Sequence, residues 1–312
     1  YHCQLHEQKN PRQRYYLRKG NIAMKDKLSF KKGFRARTAF LIFNYLLMVA
    51  IFLIVMLPIL KVVSDSFEGQ FTYGFKLWPK QFTLIAYKSV LTRPELFKPF
   101  LISLYTTIVG ATICMTFTTL AAYVLIQENM PGKKLLTLFI LVTMVFNAGL
   151  IPTFMVIRDL NLLDSLWAVI LPLAVNSYDI ILMRNFFEAI PQSLSESAEL
   201  DGCTPFQIFY KIILPLSKPA LATIGLFALV AYWNEFFSFV MYINNPDLNN
   251  FQMVLRRFVL AGDAMHTGTD DYIFPDTLRN CTIVVSMIPV LIVYPFLQKY
   301  FVSGINLGAV KE

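Results

Sequence analysis

Seven polar residues interrupt stretches of this chain that are otherwise apolar: Asn147, Asn176, Asp179, Tyr232, Trp233, Asn234 and Glu235. Amides, carboxylates and aromatic rings in that mixture suit a polyhydroxylated ligand, because the rings stack on its apolar faces and the polar groups bond its hydroxyls. The competing role is structural, since polar side chains inside apolar helices also hold neighbouring helices together. By rise per residue, Asn147 and Asn176 fall roughly 15–18 Å into their helices. Asn176 and Asp179 are three apart and share a helical face, as do Tyr232 and Glu235. Asp179 and Arg184 are five apart and do not. Covalent chemistry is not indicated. His2, His6 and His266 are scattered, and Cys3, Cys114, Cys203 and Cys281 show neither metal-ligand spacing nor a close pair. No catalytic residue and no metal site is expected.

A second group lies in the polar segment 189–219. Glu196-Ser-Ala-Glu-Leu-Asp-Gly202 is succeeded, nine residues later, by Ile212-Ile-Leu-Pro215. Local chemistry predicts two short helices here. Ser193-Leu-Ser-Glu196 has the form of a capping box for the first, and Gly202 stands where that helix should stop. Thr204-Pro-Phe-Gln207 opens the second with a cap, a proline at the first position and a reciprocal Gln. Phe206, Phe209, Tyr210 and Ile213 give it a broad apolar face, and Pro215 and Pro219 separate it from the next apolar stretch. Nowhere does the chain carry the G-x-x-x-x-G-K-[ST] loop that cradles nucleotide phosphates.

The elements that must position these groups are membrane helices. Hydrophobic residues make up 56% and charged residues 15% of 312, well below the roughly quarter charged of soluble domains. Thr38–Leu60, Phe100–Ile126 and Leu135–Ile157 run uncharged for more than 20 residues each. Each is long enough for a hydrocarbon core about 30 Å thick. Leu166–Phe187, Ala220–Ile243 and Thr277–Leu297 are equally long with polar interruptions, so the expectation is an all-α membrane protein with six spans. The first apolar block is too long for a cleaved signal and reads as a retained helix. Eleven Lys/Arg precede it in residues 1–37, an arm expected to be partly disordered at its start. The net charge of +8 therefore reads as a cytoplasmic anchor under the positive-inside rule, not as a nucleic-acid surface. Both termini and the 189–219 segment then fall on the cytoplasmic side. Phe82–Leu91 reads as a short amphipathic helix at the outer surface, and a polar outer loop at about 244–276 carries Asp263, Asp270 and Asp271. The organisation is a basic arm (1–37), a six-helix domain (38–301) with its loop at 189–219, and a tail (302–312).

The spacing of the 189–219 segment closely resembles the E-A-A-x-x-x-G-x9-I-x-L-P signature of permease subunits of bacterial ATP-binding-cassette importers. Glu196, Ala198, Gly202, Ile212, Leu214 and Pro215 match, and Ser197 replaces one Ala. Gly149-Leu-Ile-Pro-Thr153, Met183-Arg-Asn-Phe-Phe187, Trp233-Asn-Glu-Phe236, Gln252-Met-Val-Leu-Arg256 and Tyr294–Phe301 extend the likeness over most of 40–312. They resemble the carbohydrate-uptake permeases, in particular the LplC/YtcP-type polysaccharide and oligosaccharide branch, which includes an alginate importer's subunit. The resemblance implies the type I permease fold, with Glu196, Ser197, Ala198, Gly202, Phe206, Ile212, Leu214 and Pro215 coupling to an ATPase. It further implies a second, unlike permease subunit, two cytoplasmic ATPase copies that use ATP and Mg, and an extracytoplasmic solute-binding protein. The chain itself would be no enzyme and bind no cofactor. Acidic oligomers fit the branch, and neutral oligosaccharides are the alternative cargo. A secondary carrier or channel would have no use for the loop spacing.

Overall fold

The computed structural model describes residues 11–69, 74, 77–128, 130–261 and 274–308. Among them every regular element is helical, apart from a single bridge between Glu68 and Phe82. Backbone polar groups have no water to bond in hydrocarbon, so a chain this apolar satisfies them within helices. It divides into two units, residues 1–61 and 62–312.

The first unit is most of α1 (Pro11–Ser66), whose apolar part, Phe40–Ser66, is long enough to cross a membrane. Phe40, Phe43, Tyr45, Leu46, Phe52 and Ile54 are all exposed, as expected of a helix whose solvent is lipid. The basic arm joins this helix without a break from Pro11, so the helix runs straight through the expected boundary at residue 37. Residues 1–10 lie outside the described part.

The second unit is built around α3 (Pro94–Ile126), which packs against α2 (Ile85–Thr92), α6 (Trp167–Leu173), α7 (Ser177–Glu188), α11 (Lys218–Trp233) and α13 (Phe251–Ala261). Helix α14 (Pro275–Gly308) closes on α11 and α13. Threonine hydroxyls on α3 fold back onto the preceding turn, Thr112 to Ile108 O at 2.7 Å and Thr119 to Met115 O at 2.8 Å, which keeps them satisfied in an apolar setting. Where α3 meets α11, Gly110 leaves room for the Tyr232 ring, whose hydroxyl donates to Ile170 O at 2.8 Å.

Three expected spans are not straight. Leu135–Ile157 divides into α4 (Lys133–Val145) and α5 (Leu150–Asp159), bent by 117°. At this break Asn147 accepts from Gly149 N at 2.9 Å, and Gly149 takes φ +88°, which a glycine adopts without penalty. Leu166–Phe187 divides into α6 and α7, bent by 45°: α6 stops at Leu173 with Ala174 as its cap, and Asn176 caps α7. Ala220–Ile243 divides into α11 and α12 (Phe237–Tyr242). Among the described residues three unbroken helices are apolar and long enough to cross a membrane, and three bent pairs raise that to as many as six if each pair is one span. The third bent pair joins the polar-loop helices Pro205–Leu216 to α11 at 84°, a turn between a loop and a span.

At the α2/α13 end of the bundle, connections are fastened by buried or clasping acids. Glu68 accepts from the backbone N–H groups of Lys80 and Gln81 at 2.9 and 3.1 Å, and its carbonyl accepts from the Thr277 hydroxyl. Asp164, in the tight turn after α5, accepts from the N–H groups of Asn244 and Asn245. The expected outer amphipathic helix is α2, with Ala86, Ser89 and Val90 buried and Leu91 exposed. Residues Asp263, Asp270 and Asp271 lie outside the described part.

Candidate functional site

At the opposite end from α2, the polar segment folds as α8 (Gln192–Leu200), α9 (Pro205–Ile208), a π turn (Phe209–Ile213) and α10 (Leu214–Leu216). Gly202 stops α8 as expected, at φ +80°. Its N–H bonds Glu199 O at 3.0 Å and the Cys203 N–H bonds Ala198 O at 2.9 Å, which together satisfy the last carbonyls of the helix. Thr204 and Gln207 form the reciprocal cap, at 2.9 and 3.3 Å. The start of α8 differs from expectation. Pro191 occupies the cap position with no side-chain bond, Ser193 already lies inside the helix, and Glu196 caps nothing. Proline at the boundary fixes the entry, and Ser193 instead offers its carbonyl to the Ser197 hydroxyl at 2.8 Å.

Pro215 explains the π turn. It has no N–H for the Lys211 carbonyl, and its ring would crowd that oxygen in an α-helix. The chain widens by one residue instead, so that Leu214 N reaches Phe209 O. The wider turn keeps Phe209 and Ile213 both facing inward. They pack with Ala198 and Ile208 against Ala122, Met183, Phe187, Ala220 and Ile224 from α3, α7 and α11. Ile212 and Leu214 are partly buried on the same cluster. Tyr123 seals the contact, donating to Pro205 O at 2.9 Å with its ring 4.9 Å from Phe209.

The other face is open. Glu196, Ser197, Gly202 and Pro215 are exposed, and three large apolar side chains stand out: Leu200 (90% exposed), Phe206 (69%) and Tyr210 (66%). The apolar face expected of Phe206, Phe209, Tyr210 and Ile213 is thus split, half anchoring the loop and half presented outward. Glu196 borders a cavity of about 360 Å³ together with Gln127, Lys133, Glu188 and Glu199.

The intramembrane polar residues separate into two kinds. Asn147 and Asn176 are exposed at the two breaks, with Asn176 capping α7 through Tyr178 N and Asp179 N. Nearby, Thr143 and Ser177 share a hydroxyl hydrogen bond of 2.8 Å that joins α4 to α7. Asp179 does not share their exposure: it is buried on α7, which packs against α3, while Asn176 stands before that helix as its cap. Arg184 pairs with Glu188 at 2.7 Å and not with Asp179. Tyr232 and Trp233 are interior, Trp233 donating from Nε1 to Ser286 O at 2.9 Å. Asn234 is exposed, with Nδ2 on Val230 O. Because α11 ends at Trp233, Glu235 has left the face of Tyr232, and its carboxylate accepts from Ser238 N at 2.7 Å. Sequence reasoning missed Asn250 and Gln252, which hold this break by donating to the Glu235 and Trp233 carbonyls. The cap pattern at Asn250, just before an apolar-periodic helix, was the available sign.

A family described as the binding-protein-dependent transport system inner membrane component matches residues 128–261, the stretch that holds this loop and the breaks. The polygalacturonan/rhamnogalacturonan transport system permease protein YtcP of Bacillus subtilis (strain 168) is 42% identical over 279 residues, covering 87% of this chain and 97% of that protein. The chain belongs to this inner-membrane permease family. The Bacillus subtilis protein LplC is 38% identical, over 89% of this chain and 96% of its own. A chain in the crystal structure of a bacterial ABC transporter involved in the import of the acidic polysaccharide alginate superposes with a TM-score of 0.78 at 32% identity, covering 86% of this permease and 98% of that chain. The permease fold expected from the loop spacing is the fold observed. The protein is a transporter subunit of the inner membrane and not an enzyme.

Proposed function

We propose that this permease forms half of the translocation pathway of an ATP-driven importer for acidic oligo- and polysaccharides. The observation that carries the coupling half of this reading is the split face of α8–α10: one side anchored on α3, α7 and α11, the other presenting Leu200, Phe206 and Tyr210. An apolar, well-anchored protrusion transmits a push from a partner as a rigid-body movement. The partner is a cytoplasmic ATPase acting in two copies and supplying ATP and Mg chemistry, for which this chain has no phosphate loop. Glu196, Ser197, Gly202, Phe206 and Pro215 stand on the open side and meet that partner, while Ala198, Ile212 and Leu214 tie the same segment to the bundle.

The pathway side is assigned to the breaks in the spans. Irregular backbone at membrane depth is tolerated where it is buried in protein or lines a water-filled cavity. Asn147, Asn176 and Asn234 are exposed polar groups at such breaks, while Asp179, Tyr232, Trp233 and Glu235 shape the walls from within. The other wall belongs to a second permease subunit, and cargo arrives on an extracytoplasmic binding protein. The arm, the α8–α10 loop and the C-terminal tail lie on the cytoplasmic side, and the 38–301 segment forms the membrane domain. Acidic cargo is suggested by the relatives that transport polygalacturonan and alginate. The test is reconstitution of the whole complex in liposomes with oligogalacturonate, alginate oligomers and neutral oligosaccharides of equal length. Uptake favouring the acidic oligomers and dependent on ATP supports the reading; equal or greater neutral uptake overturns the cargo, and uptake without ATP overturns the coupling.

A further inference from the structure

The break between α11 and α12 carries an arginine with no carboxylate partner among the described residues. Helix α13 lays one face across this break: Gln252 and Arg256 are one turn apart, and Gln252 Nε2 donates to Trp233 O at 3.1 Å. The Arg256 guanidinium lies 4.4 Å from the centroid of the Phe236 ring, on the irregular backbone itself. Arg256 is exposed, whereas Lys98, Arg158, Arg184 and Arg279 are each held in an ion pair. The carboxylate of this break, Glu235, accepts from Ser238 N at 2.7 Å and makes no ion pair with Arg256. Asn234, also exposed, uses Nδ2 on Val230 O and leaves its carbonyl oxygen open. Asn250 and Gln252 fix the two carbonyls on either side, so the backbone here is held without help from Arg256.

An arginine braced on a ring presents its planar fork in a fixed direction, and that fork matches a carboxylate with two parallel hydrogen bonds. A break in a span near the bundle end also needs a cavity or a partner to cover it. Sixteen residues of α11 precede the break, about 24 Å of helix, which places it most of the way across the bilayer from the α8 end. Taken with the proposed acidic cargo, on which this step rests, we infer that Arg256, held by Phe236 at the α11/α12 break, is a subsite that binds a uronate carboxylate and selects charged over neutral sugar residues.

The test compares oligogalacturonate with its fully methyl-esterified form, which keeps rings and hydroxyls and loses the charge. Both are offered to the complete complex in liposomes, and the ratio of charged to esterified uptake is measured. Arg256→Gln is expected to lower that ratio about tenfold, the size of one charge-assisted contact. Arg256→Lys should keep part of it, and Phe236→Leu, which leaves the cation but removes its brace, should lower it about threefold. Co-purification of all subunits checks assembly for each variant. An unchanged ratio in Arg256→Gln, or equal loss of both substrates, overturns the subsite. A wild-type complex that does not prefer the charged oligomer overturns the acidic-cargo reading, and the subsite with it.

Discussion

Two glycines show how differently one residue type is used. Gly110 on α3 has ordinary helical backbone, but a Cβ there would meet the Tyr232 ring at 2.4–2.6 Å. Gly202 has open space around it and instead needs φ +80°. Gly110→Ala must displace a buried ring that is bonded to Ile170 O, and overpacking of this kind costs about 1–3 kcal/mol. Thermal unfolding in detergent should show that loss, and a second change, Tyr232→Leu, should recover part of it. A Cβ at position 202 meets no atom within 4 Å, so the cost of Gly202→Val is backbone strain of about 1–2 kcal/mol, and Gly202→Asn should cost clearly less because Asn tolerates the left-handed region. Equal effects of Val and Asn at 202 would show that conformation is not what the position requires. Gly202 was legible from sequence, since it ends a helix of predictable length. Gly110 was not, because its reason is a residue more than a hundred positions away.

At the scale of elements, the caps were legible where both partners are local, as at Thr204 and Gln207. They failed where a proline took over the boundary, as at Pro191. The breaks in three spans were hidden because hydropathy is blind to them: Asn147, Asn176 and Asn234 read as polar residues within helices, when their side chains and neighbours are ending those helices. The clasp between two connections was also beyond sequence. Asp164, at φ +56°, receives the N–H groups of Asn244 and Asn245, and these hold its carboxyl below the usual carboxylate range. A lowered pKa in the folded state means the clasp contributes fully above the ordinary value of about 4 and fades as pH falls through the lower folded value. Amide exchange at Asn244 and Asn245 should therefore be protected at neutral pH and lose protection only in acid. Asp164→Ala should expose both amides at neutral pH and abolish that acid step. An acid step that persists in Asp164→Ala would assign it to another group.

For the whole molecule, the distribution of exposed apolar residues makes orientation testable. Leu200 on α8 is 90% exposed and Trp78, near the α2 end, is 82% exposed. If the positive-inside rule holds for the basic arm, Leu200 faces the cytoplasm and Trp78 the opposite compartment, since α3 runs from the α2 end to the α8–α10 loop. Cys114 and Cys281 are buried and Cys203 is partly exposed on the α8 side. In a background with Cys3→Ser and Cys203→Ser, a membrane-impermeant thiol reagent should label Trp78→Cys in spheroplasts. Leu200→Cys should stay unlabelled until the membrane is opened. In the assembled complex Leu200→Cys should become slow to label even in opened membranes, because a partner covers it. Trp78→Cys should keep its rate. Labelling of Leu200→Cys from outside would reverse the topology, and with it the assignment of α8–α10 to an ATPase. An unchanged Leu200→Cys rate in the complex would keep the topology and move the partner's contact to another part of the loop.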